Sequence, residues 1–375
     1  MTYELGTCRP DELGALVDLC NLVFRSRRPG NMGAEYPLVF DAGNLPQLRV
    51  ARVGRQLVAH VGICIRDASI LGARVRVASI GAVATHPDHR GHGLASALME
   101  DARAHSVANG CSLMLISGGR GLYHRLGYVE VGSFLEARAV SGVRADGVEL
   151  RPYVSDDLNS IIALHQHEPV RFLRSRGDWE KVLAAGMLMN QYADLYTIRT
   201  GGVTCAYLAA QRPVADPEGS VPAVRVQEFA GSRAGIAAAL AELGTRYGSP
   251  AARLFFRADD APLSAECRVR GMEFIGAAFP GTLAVLDPAR FLGAMGPILE
   301  ERASAPVSIQ PLGEGLRVSL GGERMTLNTR GEASAFLFGG DTEEAGAIPE
   351  LPPGIFAALQ GVLPIPLPWY GYNYV

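Results

Sequence analysis

The most regular hydrophobic pattern in the chain predicts a strand, a turn, a helix and a second strand between residues 75 and 128. In residues 75–84, Val75 and Val77 alternate with polar or small residues, and the β-branched content favours a strand. Apolar residues recur at helical spacing from Leu94 onwards, and Asn109-Gly110 is a typical helix end. The short apolar run at 113–116 predicts the second strand.

The same reasoning predicts the elements around this segment. A strand at 3–8 and an amphipathic helix at 10–24 precede a meander of strands at 48–53, 57–66 and 75–84. Residues 129–143 are predicted to complete this first unit with one or two strands. The segment that begins at Arg25 is basic and contains glycine, so residues 24–45 are expected to form a flexible substrate loop.

Residues 148–166 repeat residues 3–21 without a gap, at an offset of 145. The two segments share five identities, among them Leu150 with Leu5 and Leu158 with Leu13. Self-similarity of this kind indicates a duplicated unit. In the second copy, the counterparts of the long strand, the helix and the next strand are residues 223–230, 236–243 and 252–256.

A third pattern begins at Thr282. A helix is predicted from Asp287-Pro288 to Leu299, because proline is favoured in the first helical turn. A meander follows at 307–310, 316–320 and 323–328, with an apolar segment at 333–338 and a proline- and tyrosine-rich end. We therefore expect a further small unit of helix and sheet.

Composition and charge exclude several classes of function. The chain has 375 residues, 48% of them hydrophobic and 19% charged, which suits a globular protein of two or three domains. Its net charge is −3 and it has no basic tract, so we expect no nucleic-acid partner. Charged residues interrupt any apolar start and no apolar run is long enough to span a membrane, so we expect neither a signal peptide nor a membrane span.

The cysteines and histidines do not predict a metal site. The six cysteines are scattered without a C-x-x-C motif, which indicates small buried residues in a reducing compartment and a cytoplasmic protein. His165 and His167 have no further ligands at a suitable spacing, so they are interpreted as a pair on a helix surface rather than as metal ligands.

The turn between the strand at 75–84 and the following helix carries the candidate chemistry. A glycine-rich turn that opens a helix leaves backbone N–H groups unpaired, and the helix dipole adds to their attraction for anions. Gly91 and Gly93 remove side chains that would hold a pyrophosphate away from the backbone. Arg90, Gly93 and Ala95 form the spacing Arg-x-x-Gly-x-Ala, which is neither a dinucleotide fingerprint nor a Walker loop.

This turn, the strand before it and Tyr123 after the next strand resemble the GNAT acetyltransferases over about residues 45–135. Those enzymes bind acetyl-coenzyme A through an Arg/Gln-x-x-Gly-x-Gly/Ala loop. The resemblance implies acetyl-coenzyme A as co-substrate and no metal. It implies a cofactor site formed by Ala82, Val83, Ala84, His89, Arg90, Gly91, His92, Gly93, Leu94, Ala95, Ser96 and Ser117.

The second copy lacks these features. Its loop, residues 231–235, has lost the Arg-x-x-Gly-x-Ala spacing, and Cys267 falls at the position of Tyr123. One GNAT unit, a degenerate GNAT unit and a last small unit resemble the Eis-type acetyltransferases, whose third domain is similar to sterol carrier proteins. The resemblance implies a mixed α/β fold of tandem GNAT domains with mainly antiparallel sheets. It implies domains at 1–146, 147–281 and 282–375, and a homo-oligomer.

Acetyl transfer to an amine requires three functional groups. The ammonium, with a pKa of about 10, must lose a proton before it attacks the thioester. The resemblance implies that a backbone N–H near Val83 or Ala84 stabilises the oxyanion, and that Tyr123 protonates the leaving thiolate. It also implies that the carboxylate of the last residue, Val375, assists proton removal.

The expected activity is N-acetylation of a primary amine, such as an aminoglycoside, a polyamine or a lysine side chain, by direct attack in a ternary complex. The alternative is a non-catalytic carrier or sensor that binds coenzyme A or a lipid. Near the end of the chain, the acidic residues Glu332, Asp341, Glu343, Glu344 and Glu350 permit two interpretations: a solvated surface or a region that attracts cationic substrates.

Overall fold

A computed structural model describes residues 2–26, 29–142, 147–340 and 350–375. The chain divides into two compact units, of which the first comprises residues 1–132, 279–365 and Val375, and the second comprises residues 133–278 and 366–374. Asp341, Glu343 and Glu344 of the predicted acidic region lie outside the described residues, as do Arg27, Arg28 and residues 143–146.

The N-terminal part of the first unit follows the predicted order of strand, helix, meander, helix and strand. Its elements are β1 (Glu4–Thr7), α1 (Leu13–Phe24), α2 (Met32–Glu35), β2 (Leu48–Val53), β3 (Gln56–Ile70), β4 (Ala73–Thr85), α3 (Leu94–Ala108), β5 (Leu113–Ile116) and α4 (Gly121–Arg125). Strands β2 and β5 have the predicted bounds, whereas β3 is longer than the predicted 57–66.

The second unit is built from nine strands and four helices of the described residues. They are β6 (Phe134–Val140), β7 (Val148–Pro152), α5 (Leu158–Gln166), β8 (Val170–Phe172), α6 (Arg176–Ala185), β9 (Met187–Leu188), β10 (Gln191–Thr200), β11 (Val203–Gln211), β12 (Val224–Gly231), α7 (Arg233–Arg246), β13 (Ala251–Arg257), α8 (Ala261–Val269) and β14 (Glu273–Ala277).

The C-terminal part of the first unit begins with β15 (Thr282–Val285) and α9 (Pro288–Arg302). It continues with β16 (Ser308–Leu312), β17 (Gly315–Leu320), β18 (Glu323–Leu327), α10 (Arg330–Phe338) and α11 (Pro353–Leu359). The predicted helix and meander are both present, and the apolar segment 333–338 lies within α10.

The two large sheets of the mixed α/β fold are mainly antiparallel, as expected, and the small sheet β16-β17-β18 is antiparallel throughout. In the first unit the strand order is β1-β2-β3-β4-β5-β15, and in the second it is β14-β6-β13-β12-β11-β10-β7. The pairs β4–β5 and β12–β13 are parallel. In the first unit, α3 packs on one sheet face through Leu94 and Leu98, which share a core with Val61 and Ile63 of β3.

The duplication predicted from the repeat is visible in the second unit. A short 3-10 turn precedes α1 at Pro10–Glu12 and precedes α5 at Ser155–Asp157, and both helices begin at the offset of 145 residues. β12, α7 and β13 cover the predicted counterparts of the long strand, the helix and the next strand.

One strand assignment was wrong. Residues 129–143 were predicted to complete the first unit, but β6 lies in the second unit's sheet, where it pairs antiparallel with β13 and β14. In the first unit, β5 pairs with β15 instead, and Val129 bridges Leu283 of that strand. Strand alternation predicts that a segment is extended, but the pairing partner depends on contacts far along the chain.

The prediction that His165 and His167 both lie on a helix surface was wrong for His165. His165 is buried, with Nδ1 3.1 Å from the hydroxyl oxygen of Tyr207 and Nε2 3.0 Å from the carbonyl oxygen of Phe172. His165 is therefore a core residue with both ring nitrogens satisfied. Burial, which is costly for an imidazolium, lowers its pKa to about 4.

Candidate active site

A cavity of about 510 Å³ lies in the first unit at the turn between β4 and α3. Gly93 is the N-cap of α3 and has a φ of +74°, while Gly91 has a φ of +80°. As the N-cap, Gly93 makes no side-chain hydrogen bond to the first N–H groups of α3, and none from another described residue is observed there. Among the described residues, no heavy atom lies within 4 Å of a Cβ built on either glycine. The turn is therefore open and suited to an anion.

Eight of the residues predicted to bind the cofactor line this cavity. They are Val83, His89, Arg90, Gly91, Gly93, Leu94, Ala95 and Ser96. Its lining also contains residues that the motif did not indicate: Val23, Phe24, Thr85, Arg120 and Leu122. The end of α1 was indicated only by the broad substrate-loop prediction, since an amphipathic helix end carries no motif.

The other four predicted residues lie outside this lining. Ala84 is buried in β4, and Ala82 has a φ of +50°. His92 places Nδ1 3.0 Å from the carbonyl oxygen of Arg90, and its ring centroid is 5.7 Å from that of Tyr3. The Ser117 hydroxyl donates to a terminal oxygen of Val375 at 2.8 Å. Their roles in binding a cofactor stay predictions.

The unusual backbone of Ala82 marks a β-bulge. Gly62 of β3 pairs with Gly81, but His60 pairs with Ala84, so two residues of β4 oppose one of β3. The bulge interrupts the ladder at Ala82 and Val83, where the family resemblance implies a backbone donor for an oxyanion. A bulge can supply such a donor because one strand residue is left without its ladder partner.

The chain terminus occupies the space beside this bulge. Val375 is buried, and a Cβ built on Gly81 would lie 2.0 Å from its carboxyl carbon. Only a glycine at position 81 permits that approach, because any other side chain would overlap the terminal carboxylate. The carboxylate therefore packs directly against this face of β4, and the Ser117 hydroxyl donates a hydrogen bond to it.

Tyr123 lies close to the same loop. It is buried in α4 and packs in the core that also contains residues of α3 and β5. A Cβ on Gly118 would lie 3.8 Å from Cε2 of its ring, and Gly118 directly follows Ser117. Thus Ser117 and Gly118 bring the tyrosine ring and the terminal carboxylate to neighbouring positions of one loop.

The corresponding turn of the second unit is filled by its own side chains. Ser232 caps α7 by accepting from the N–H of Gly235, and the N–H of Gly231 donates to Glu168 at 3.0 Å. Arg233 forms ion pairs with Glu168 and Asp260 at 2.7 and 2.8 Å. Two carboxylates therefore occupy the surroundings of this helix start, which disfavours a pyrophosphate there.

Two other properties of the described residues bear on function. None of their helices is both long enough and apolar enough to cross a membrane. Within the same residues, no group of three or more His, Cys, Asp or Glu side chains could hold a metal ion. All six cysteines are unpaired thiols, and five of them are buried.

Comparison with known proteins identifies the first part of the chain. Residues 5–131 match the family described as acetyltransferase (GNAT) domain. A comparison with curated protein sequences gives no match.

Solved structures share the fold of the whole chain. The GCN5-related N-acetyltransferase from Anabaena variabilis ATCC 29413 has a TM-score of 0.70 at 14% identity, covering 98% of this chain and 99% of its own. Eis1 from Mycobacterium abscessus has a TM-score of 0.64 at 14% identity, with the same coverage of 98% and 99%. A GCN5-related N-acetyltransferase from Kribbella flavida has a TM-score of 0.59 at 17% identity, covering 88% and 84%.

At such identities the solved structures establish the fold, and the family match establishes the kind of domain. The chain therefore carries a GNAT acetyltransferase domain in residues 5–131, is an acyltransferase, and has the Eis-like fold over nearly its whole length.

Proposed function

We propose that the protein transfers the acetyl group of acetyl-coenzyme A to a primary amine by direct attack in a ternary complex. The observation that carries this proposal is the buried carboxylate of Val375, which lies against Gly81 beside the β-bulge and accepts from Ser117. A buried carboxylate attracts a cationic amine and can take up its proton. A carrier that only bound coenzyme A would have no use for it.

The cavity at the start of α3 would hold the pyrophosphate of coenzyme A against the first N–H groups of the helix. Gly91 and Gly93 allow the phosphates to approach the backbone, and Arg90 adds positive charge. In this proposal the thioester lies along β4, towards the bulge at Ala82 and Val83. His92 and Ser96 belong to the same proposed turn.

The reaction conserves its protons. The bound ammonium first gives one proton to solvent. The lone pair of the neutral amine then attacks the thioester carbonyl carbon, and one of its two remaining protons passes to the Val375 carboxylate, directly or through a water molecule. A backbone N–H of Val83 or Ala84 stabilises the oxyanion that forms. The C–S bond then breaks, and Tyr123 gives its phenolic proton to the sulfur. The products are the amide and free coenzyme A, and the proton on Val375 returns through solvent to the Tyr123 phenolate.

Aminoglycosides, polyamines and lysine side chains all present the required primary amine. Four earlier predictions accompany this proposal: a division into three domains, a sterol-carrier-like third domain, a homo-oligomer and a cytoplasmic location. Because β6 lies in the second unit, the first boundary of that division falls before β6 rather than at 146.

Thiol release from acetyl-coenzyme A, measured with a panel of polyamines, aminoglycosides and lysine peptides, tests the activity. Wild-type protein should release coenzyme A with at least one of them. Extending the chain by three glycines moves the carboxylate away, and kcat should then fall about ten- to a thousandfold, close to the usual contribution of general-base catalysis. The affinity for coenzyme A should be unchanged.

Gly81→Ala is the internal counterpart of the extension, because its Cβ would displace the terminus without lengthening the chain. Gly14→Ala is the matched control, since a Cβ at that position of α1 meets no described atom within 4 Å. If folded wild-type protein released no thiol with any amine, the acetyltransferase hypothesis would be rejected in favour of the non-catalytic carrier. Full activity in both the extended chain and Gly81→Ala would remove Val375 from the mechanism.

A further inference from the structure

One imidazole of the first unit is buried on the sheet face where the terminal carboxylate lies. His60 of β3 has no exposed surface, and its ring centroid is 6.1 Å from that of Phe40. Cys64, further along the strand, places its sulfur 3.7 Å from the carbonyl oxygen of Leu38. The neighbouring residues Val61 and Ile63 pack instead in the core that contains α3. His60 therefore faces the segment from Leu38 to Phe40, away from α3.

The hydrogen bonds of His60 determine its tautomer. Nδ1 lies 3.0 Å from the carbonyl oxygen of Arg49, and a carbonyl can only accept, so Nδ1 carries the proton. Nε2 is then a lone-pair acceptor, and it is buried without a hydrogen-bond partner among the described residues. Burial also lowers the pKa of His60 to about 4, which keeps the ring neutral at pH 7. A buried acceptor with no donor is uncommon in a folded protein and calls for an explanation.

Two paired glycines connect this acceptor to the terminal carboxylate. A Cβ on Gly62 would lie 3.1 Å from His60 Nε2, and a Cβ on Gly81 would lie 2.0 Å from the carboxyl carbon of Val375. Gly62 and Gly81 are direct partners in the antiparallel pair β3–β4. Side chains of such partners project from the same face, with Cβ atoms about 4.5–5.5 Å apart. His60 Nε2 and the carboxylate therefore each lie against one of two paired glycines. Val39 Cγ1, at 3.0 Å, and the carbonyl oxygen of Gly81, at 3.1 Å, also border the Gly62 position.

We propose that His60 Nε2 is the second acceptor for the substrate amine, an inference that rests on the proposed acetyl transfer. A primary amine has two N–H groups and one lone pair. If Val375 takes one proton and Nε2 accepts a hydrogen bond from the other N–H, the lone pair is directed at the thioester. The N–H held by His60 is the one that remains in the product amide, so His60 orients the amine without changing its own protonation.

This arrangement assigns a substrate class. A secondary amine can still give its single proton to Val375, but it then leaves Nε2 unpaired and places an alkyl group against it. Because Nε2 has no partner among the described residues before substrate binds, a primary amine gains a hydrogen bond there that a secondary amine cannot form. The enzyme should therefore prefer primary amines to their N-methyl derivatives by about ten- to a hundredfold in kcat/KM, the factor such a loss produces.

The experiment compares each primary amine with its methylated partner: putrescine with N,N′-dimethylputrescine, and a lysine peptide with its Nε-methyl-lysine form. In the wild type the ratio of kcat/KM should be large. His60→Phe removes the acceptor, and the ratio should fall towards one. His60→Gln retains an oxygen near the position of Nε2 and should keep part of the preference. A loss of stability alone would lower the activity on both amines and leave their ratio unchanged.

His165→Phe is the matched control, because His165 is also buried and belongs to the second unit with both nitrogens already bonded. It should keep the wild-type ratio. A wild type without amine preference, or a His60→Phe protein that retains the preference, would overturn the inference while leaving acetyl transfer intact. The absence of any transfer would instead refute the proposed function.

A second measurement covers the case in which the His60 variants do not fold. In wild-type protein labelled with ¹⁵N-histidine, the combination of coenzyme A and putrescine should shift the His60 Nε2 resonance towards that of a hydrogen-bonded acceptor. N,N′-Dimethylputrescine should shift it much less. Equal shifts, or none with putrescine, would overturn the inference.

Discussion

At the residue scale, two neighbouring loop residues position the two groups assigned to proton transfer. Ser117 donates to Val375, and Gly118 lies beside the ring of Tyr123. Each contact depends on a small residue, because a bulky side chain at either position would displace the group it contacts. The proposed acid, Tyr123, and the proposed base, Val375, therefore contact the same loop. This is expected where both groups must reach the same thioester.

Removal of the phenolic hydroxyl tests the assignment of Tyr123. Tyr123→Phe keeps the ring packing but removes the proton donor for the departing sulfur, so kcat should fall about a hundred- to ten-thousandfold, the range of general-acid catalysis. Coenzyme A affinity, measured by calorimetry, should be unchanged. Tyr128→Phe is the control, since Tyr128 is also buried and its hydroxyl donates to the Met114 sulfur at 2.9 Å. Equal kcat in the two variants would reduce Tyr123 to a packing residue.

At the element scale, the start of α3 differs from the start of α7. Gly93 leaves the first turn of α3 open, whereas Glu168 and the Ser232 side chain satisfy donors at the start of α7. Both helices follow the central strand of a duplicated unit, so their backbones present the same kind of anion site. The surrounding side chains leave the start of α3 open to an anion and occupy the start of α7.

Gly93→Glu should abolish coenzyme A binding in isothermal titration. The substitution places a carboxylate against the pyrophosphate and forces a side chain onto a residue with a φ of +74°. Gly72→Glu is the matched control, because Gly72 also has a positive φ, of +100°, and a Cβ there meets no described atom within 4 Å. It should bind coenzyme A like the wild type. Unchanged affinity in Gly93→Glu would remove the cofactor site from this turn.

At the scale of the whole molecule, a buried ion pair supports the second unit. Arg174 and Glu228 form two hydrogen bonds, at 2.7 and 2.6 Å, with side chains 1% and 7% exposed. Glu228 also accepts from the N–H of Tyr372, and Arg174 donates to Asn373, so the pair binds residues 366–374 to their own unit. Burial opposes ionisation of Glu228, but Arg174 outweighs it, and the pKa of Glu228 is lowered.

Glu228→Gln should lower the free energy of unfolding by about 3 to 5 kcal/mol, because it leaves the Arg174 charge buried without a counter-ion. Denaturant titration measures this loss. Glu180→Gln is the control: it breaks an Arg176–Glu180 pair in which both side chains are 57% exposed, and such pairs contribute about 0.5 kcal/mol or less. Equal losses in the two variants would show that the buried pair contributes no more to the free energy of unfolding than an exposed pair does.

The sequence by itself determined the local elements and the turn. The periodicity of apolar residues predicted β2 and β5 to the residue, because strand preferences depend on near neighbours. The glycine spacing also predicted an open helix start, since positive φ and the absence of side chains are properties of single residues.

Only the tertiary structure decided which distant segments meet. It placed β6 in the sheet of the second unit, buried His165, and brought Val375 against Gly81. It also paired Gly62, whose Cβ position lies near His60 Nε2, with Gly81, whose Cβ position lies near the terminal carboxylate. Each of these contacts joins residues far apart in the chain, and nothing in local periodicity distinguishes one long-range partner from another.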